Sequence, residues 1–197
     1  MTVVSLVPPA SAASRPLGRI ATPAEAPNFR SALRHLAGGV SVITTGQGDD
    51  RTGLTVTSLS SLSAEPPTVM FGVNLTSSSF PVLARYRSFG VNILNATQKQ
   101  IADRFAGRAG EKGNARYAGA SWAEGVTGAP LLEGALVALD CEVEELIERH
   151  SHAIVIGRVR EVRLGGDDAA LVYWRGDYER LGWMAEEART ACGLRGI

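Results

Sequence analysis

G-L-T-V-T-S-L-S-S-L-S-A-E-P-P, Gly53–Pro67, is the stretch from which the rest of the chain is read. It places small hydroxyl residues between a glycine-rich approach and a Pro-Pro stop. The β-branched apolar segment Thr68–Val73 follows at once. The spacing predicts a strand over Gly53–Ser58, a loop over Leu59–Pro67 and a second strand over Thr68–Val73. Small side chains leave the backbone of such a segment accessible, so its N–H groups can face a bound ligand.

Working outward, Asn28 is placed to cap a helix over Phe29–Ala37, with Phe29, Leu33 and Leu36 on one face and Gly38-Gly39 to end it. Val40–Thr45 and Phe89–Leu94 read as strands, and Gln47–Asp50 as a polar turn. Pro81 suits the first turn of a short helix capped by the serine before Phe80. Thr97-x-x-Gln100 matches a capping box for a helix over Gln98–Ala106, where Ile101 pairs with Phe105 in a core role. A basic, glycine-broken loop with Arg108, Lys112 and Arg116 comes next. In Gly134–Glu145, Val137, Leu139, Cys141 and Val143 share one face and Asp140, Glu142 and Glu144 the other. His152–Leu164 and Leu171–Trp174 complete the strands. Strands joined mainly by turns, with short helices at their junctions, predict a mainly β protein: a closed antiparallel barrel with a few peripheral helices.

The 197 residues suit one domain, read as 28–181 between a flexible extension, 1–27, and a tail, 182–197. A net charge of zero offers no attraction to nucleic acid or to an anionic membrane. Cys141 and Cys192 have neither disulfide-framework nor metal spacing and read as reduced thiols. Ala10–Ala13 mimics a signal-peptidase site, but no basic residue precedes it and Pro8-Pro9 break the apolar run, so a soluble cytoplasmic protein is expected.

The motifs of several enzyme classes are absent. Gly46-x-Gly48 lacks the third glycine of a dinucleotide fingerprint, and there is no P-loop, H-E-x-x-H or G-x-S-x-G. Three histidines are too few for a histidine-rich metal site, and His150 and His152 lack further ligands. A chemistry that asks few acids or bases of the protein fits this poverty. Flavin chemistry does, because the isoalloxazine accepts the hydride and the protein supplies binding and orientation.

From Phe29 to about Leu181 the chain resembles the short-chain flavin reductases, the reductase components of two-component flavin monooxygenases. The blocks that carry the resemblance are F-R-S-A-L-R-H-L-A-G-G-V-S-V-I-T-T (Phe29–Thr45), the Gly53–Pro67 stretch, N-L-T-S-S-S-F-P-V-L (Asn74–Leu83) and F-G-V-N-I-L (Phe89–Leu94). They continue through Q-x-x-I-A-D-R-F-A (Gln98–Ala106), G-A-P-L-L-E-G-A-L (Gly128–Leu136), H-A-I-V-I-G-R-V (His152–Val159) and Y-W-R-G-D-Y (Tyr173–Tyr178).

The resemblance implies an FMN-binding Greek-key split barrel, usually a homodimer with flavin between the protomers. It implies an NAD(P)H:flavin oxidoreductase that supplies reduced FMN or FAD to a separate monooxygenase, with NADH or NADPH as hydride donor. Thr55, Val56, Thr57 and Ser58 would face the isoalloxazine and ribityl, and Asn74, Ser77, Ser78 and Ser79 the ribityl or phosphate. Lys112 lies near the position of a family lysine that approaches the flavin phosphate, though Gly113 follows where the family often has an aromatic. His152 matches the histidine of the family's G-D-H, written H-S-H here, beside the nicotinamide; Tyr178 would close the same site. The fold also admits another split-barrel flavoenzyme, or a non-enzymatic flavin- or haem-binding module.

Overall fold

The computed structural model describes residues 24–108, 110–183 and 187. Most of the expected extension 1–27 and of the tail 182–197 lies outside them. The chain divides into two units between Leu33 and Arg34. The first contributes one described element, helix α1 (Ala26–Leu33), with no buried residue. It starts and ends earlier than the sequence suggests. Pro27 is the reason for the early start: it sits in the first turn, where a missing N–H costs nothing, so Asn28 lies inside the helix rather than at its cap.

In the second unit seven strands form one antiparallel sheet in the order β3-β2-β6-β9-β10-β5-β4. They are β2 (Ser41–Thr45), β3 (Thr52–Val56), β4 (Ser60–Ala64), β5 (Pro67–Asn74), β6 (Ser88–Ile93), β9 (Val137–Arg149) and β10 (His152–Leu164). Strand β1 (Gly38–Gly39) pairs with β11 (Ala170–Trp174), and β11 with β12 (Asp177–Leu181). A two-stranded ribbon joins β7 (Trp122–Glu124) and β8 (Pro130–Leu132). Helices α2 (Phe80–Tyr86) and α3 (Lys99–Phe105) lie at strand junctions of this unit. The protein is thus mainly β with few helices. The two end strands, β3 and β4, are joined by only Thr57–Leu59, a link that spans about 14 Å at most.

Period-two alternation divides the strands between two cores. Ile43, Phe71, Phe89, Val91, Val143 and Val155 fill the first, where the rings of Phe71 and Phe89 meet edge-on at 5.2 Å. Val40, Val42, Leu94, Phe105, Tyr117 and Leu171 fill the second. Strand β2 lies between them and is buried along its whole length. Its hydroxyls survive burial because they are bonded: Thr45 Oγ1 donates to Ser88 O at 2.8 Å and Thr44 Oγ1 to Pro130 O.

Four expectations need correction. Leu59–Pro67 is not all loop: Ser60–Ala64 pair with β5, with a bulge between Ser61 and Ser63. The capping box is Asn95 with Gln98, two residues before the expected one; Asn95 Oδ1 accepts from Thr97 N at 2.9 Å, and Gln98 Oε1 from Asn95 N at 3.0 Å. His150 has φ +53 and belongs to the β9–β10 turn, so it shares no strand face with His152. Asp140 does not face water. It is fully buried, and its carboxylate accepts from Thr127 N at 2.6 Å and from Thr127 Oγ1 at 2.5 Å, which holds the β7–β8 loop to β9.

Cys141 is buried in the first core, and burial pushes its thiol up to about 12 from 9.0. At about pH 8, near the ordinary thiol pKa, iodoacetamide should leave Cys141 unmodified in the native protein and label it after unfolding. Peptide mapping that finds native Cys141 labelled would contradict its placement. A raised folded pKa stabilises the fold fully below 9.0, and this contribution is lost as the pH rises towards about 12.

Candidate flavin site

The site is built on β3, an end strand whose outer edge is covered by side chains rather than by another strand. Thr55 Oγ1 donates to Ala102 O of α3 at 2.7 Å. Tyr117 OH donates to Thr52 O at 2.6 Å. Gly53 O accepts from Ser79 Oγ at 2.8 Å and from Arg116 Nη1. Gly53 must lack a side chain, because a Cβ would meet Ile43 O at 2.3 Å and the Phe105 ring at 2.7 Å. This covering satisfies the free strand edge and fixes the backbone that runs into Thr57–Leu59. Thr57 in turn packs on bare Gly38, where a Cβ would stand 2.9 Å from its own Cβ.

Beside this strand lies a cavity of about 190 Å³, lined by Thr55, Val56, Thr57, Ala106, Arg108, Tyr173 and Tyr178. Three of the four residues expected to hold the ring therefore share a cavity with Tyr178, which was expected to close the nicotinamide site. The Tyr173 and Tyr178 rings meet at 5.4 Å. The Arg108 guanidinium lies 5.1 Å from the Tyr178 ring and is held by Asp103 at 2.9 Å. Burial, ahead of the opposing Arg108 charge, raises the Tyr178 pKa, so this phenol stays protonated at neutral pH.

A second group forms on the outward face of β5 and β10. His152 pairs directly with Asn74, and both are exposed. His152 Nδ1 is 2.8 Å from Ser151 Oγ. Ser58, next to Thr57, reaches this face: its Oγ accepts from Gly72 N at 3.1 Å, one alternation from Asn74.

The serine cluster divides. Asn74 Oδ1 accepts from Thr76 N and Oγ1, Ser77 Oγ accepts from Ser79 N, and Ser79 is wholly buried against β3. Ser78 is exposed. The helix behind them, α2, has seven residues, so its dipole adds little to an anion site. Lys112 is exposed at the start of the 3-10 turn Gly113–Tyr117. The cation set against β3 is Arg116, which the sequence reading left in a solvated loop. The signal that could have found it is the dipeptide Arg116-Tyr117, a cation followed by an aromatic, which Lys112-Gly113 lacks.

Residues 33–182 match the family model described as "Flavin reductase like domain". The chain belongs to the flavin reductase-like family. It is 34% identical over 153 residues to the "FMN reductase (NADH) RutF" of Pseudomonas syringae pv. syringae, which covers 78% of this chain and 85% of that one. It is 36% identical to the "4-hydroxyphenylacetate 3-monooxygenase, reductase component" of Thermus thermophilus, covering 79% of this chain and 96% of that one. Among solved structures it resembles BorF, the flavin reductase component of a bacterial two-component tryptophan halogenase, with a TM-score of 0.74 and 31% identity over 80% of this chain and 98% of that one. Among the described residues no helix is long and apolar enough to cross a membrane.

Proposed function

We propose that the protein is a cytoplasmic NAD(P)H:flavin oxidoreductase that reduces FMN or FAD and releases it to a separate flavin-dependent monooxygenase. The observation that carries this reading is the cavity that joins Thr55–Thr57 to Tyr178, inside the family match. The residues present fit a flavin: small hydroxyl residues on an immobilised strand let a ring approach the backbone, and a half-buried arginine stands one alternation away at Gly53.

When bound, the flavin accepts hydride and passes it on. The chain's own groups bind and orient. Thr55–Ser58 hold the ring, Arg116 and the Asn74–Ser78 part of the turn hold the phosphate end, and Lys112 stands at the rim. Neutral, protonated Tyr178 closes one side, and His152 meets the nicotinamide carboxamide from the other.

A 190 Å³ cavity is below the ~300–1,000 Å³ usual for small-molecule sites. This supports a homodimer in which the second protomer completes the site. The short Thr57–Leu59 link between the end strands supports a split barrel, since a sheet whose two ends lie about 14 Å apart must curl. We place the catalytic domain at 28–181.

Purified protein should consume NADH only when free flavin is supplied. Tight yellow protein with no turnover would instead favour a binding module. Replacing His152 by Ala should raise KM for the nicotinamide about tenfold and move KM for flavin much less. An unchanged nicotinamide dependence would remove His152 from the site.

A further inference from the structure

A second cavity, of about 290 Å³, shares no lining residue with the first. Thr52, Gly53 and Tyr117 are buried and hydrogen-bonded, and they close the strand between the two. This cavity is therefore a separate site and not an extension of the flavin cavity. Its charged lining is Arg51, Asp49 and Glu124, and its apolar walls include Trp122 and Pro130.

Arg51 is half-buried and preorganised. Its guanidinium lies over the Tyr117 ring at 4.5 Å, and its Nε donates to Asn114 Oδ1. The other end of the same amide, Asn114 Nδ2, donates to Asp49 Oδ1 at 3.3 Å. Asn114 thus stands between a cation and a carboxylate. Among the described residues neither Arg51 nor Asp49 makes an ion pair, and neither Nη atom of Arg51 makes a hydrogen bond. The amide keeps the two opposite charges apart, so the planar fork of Arg51 and the second oxygen of Asp49 are left for a ligand.

Charge selects the ligand class. The lining carries one cation and two carboxylates, so a simple anion such as phosphate is attracted by Arg51 and repelled by Asp49 and Glu124, and a simple cation meets the reverse. A molecule with a carboxylate and an ammonium side by side satisfies both. Trp122 commits its Nε1–H to Tyr117 O at 3.0 Å, so it offers the cavity ring surface rather than a donor. Buried Pro130 adds to this apolar side.

We propose that the Arg51–Trp122 cavity binds a free α-amino acid with an aromatic or other apolar side chain. The carboxylate sits on the Arg51 fork, the ammonium on Asp49 with exposed Glu124 beside it, and the side chain against Trp122 and Pro130. The cavity lies at the bottom of the ~300–1,000 Å³ range of small-molecule sites, which suits one such molecule. The inference does not rest on the flavin reading and stands or falls apart from it.

The test is titration calorimetry of the full chain, without flavin, against L-phenylalanine, 3-phenylpropionate and phenethylamine. L-Phenylalanine should bind with a Kd below about 1 mM. The analogues, which lack the ammonium or the carboxylate, should each bind at least about tenfold more weakly, a comparison that needs no variant to fold. Asp49→Asn should weaken L-phenylalanine about tenfold without weakening 3-phenylpropionate, and Arg51→Met should weaken L-phenylalanine as much without weakening phenethylamine. No binding of L-phenylalanine, equal binding of all three compounds, or an L-phenylalanine affinity unmoved by both substitutions would overturn the site. Displacement of bound L-phenylalanine by FMN would overturn it too, by merging this cavity with the flavin site.

Discussion

Gly53→Ala should cost about 3 kcal/mol of stability and lower the melting temperature by roughly 6–12 °C. The added methyl would meet two neighbours that cannot both move. One is the Ile43 carbonyl at 2.3 Å, backbone of the wholly buried neighbouring strand β2; the other is the Phe105 ring at 2.7 Å, packed between Tyr117 and Trp122. Rigid neighbours turn a small substitution into a backbone shift. That shift would carry Thr55–Thr57 away from α3 and Tyr178, so flavin turnover should fall with stability. The control is Gly39→Ala, where a Cβ meets nothing within 4 Å. Differential scanning calorimetry of both variants checks the difference; equal melting points would mean that the β3–Phe105 contact is not a constraint.

Arg116→Ala should be the next most damaging change, through two separable effects. The first is structural. Arg116 Nη1 and Nε donate to the carbonyls of Gly53 and Glu111, and charge-assisted bonds of this kind are worth about 2 kcal/mol. The second follows from the proposed phosphate role: KM for FMN should rise about tenfold. Burial lowers the Arg116 pKa, yet an arginine remains charged at neutral pH, so the cation is present to meet a phosphate. Arg116→Lys keeps the charge without the fork. It should recover much of the FMN affinity while leaving part of the stability loss, and a Lys variant as defective in KM as the Ala variant would remove Arg116 from the phosphate site.

The strands that proved legible in the sequence are those marked by β-branched residues or alternation: β2, β3, β5, β6, β9, β10 and β11. Strand β4 reads S-S-L-S-A, which no apolar pattern marks; it exists because β5 offers it a partner. Strand β12, D-Y-E-R-L, is equally polar and depends on β11. Asp140 stood at a position that alternation assigns to solvent, but the β7–β8 loop folds over it and Thr127 supplies its donors. Two capping-box patterns overlapped, and Asn95 prevailed because it is also tied to Gly134 O through its Nδ2.

The site was legible where local chemistry carried it. Thr55–Thr57 and Tyr178 meet although more than a hundred residues separate them, and Asn74 and His152 fall into cross-strand register. Ser79 was misleading, since a hydroxyl at a helix start serves a ligand or a neighbouring carbonyl equally well, and here it serves Gly53. Arg108 and Arg116 could not be told apart from a solvated basic loop without the strand against which each is set.

Amide hydrogen exchange of the full chain, with and without FMN, tests whether flavin lies along β3. The amides of Thr55–Ser58 should slow at least about tenfold on FMN addition, with weaker protection at Asn74–Ser79. Unchanged exchange over Thr55–Ser58, with protection confined to another part of the sheet, would mean that flavin binds elsewhere.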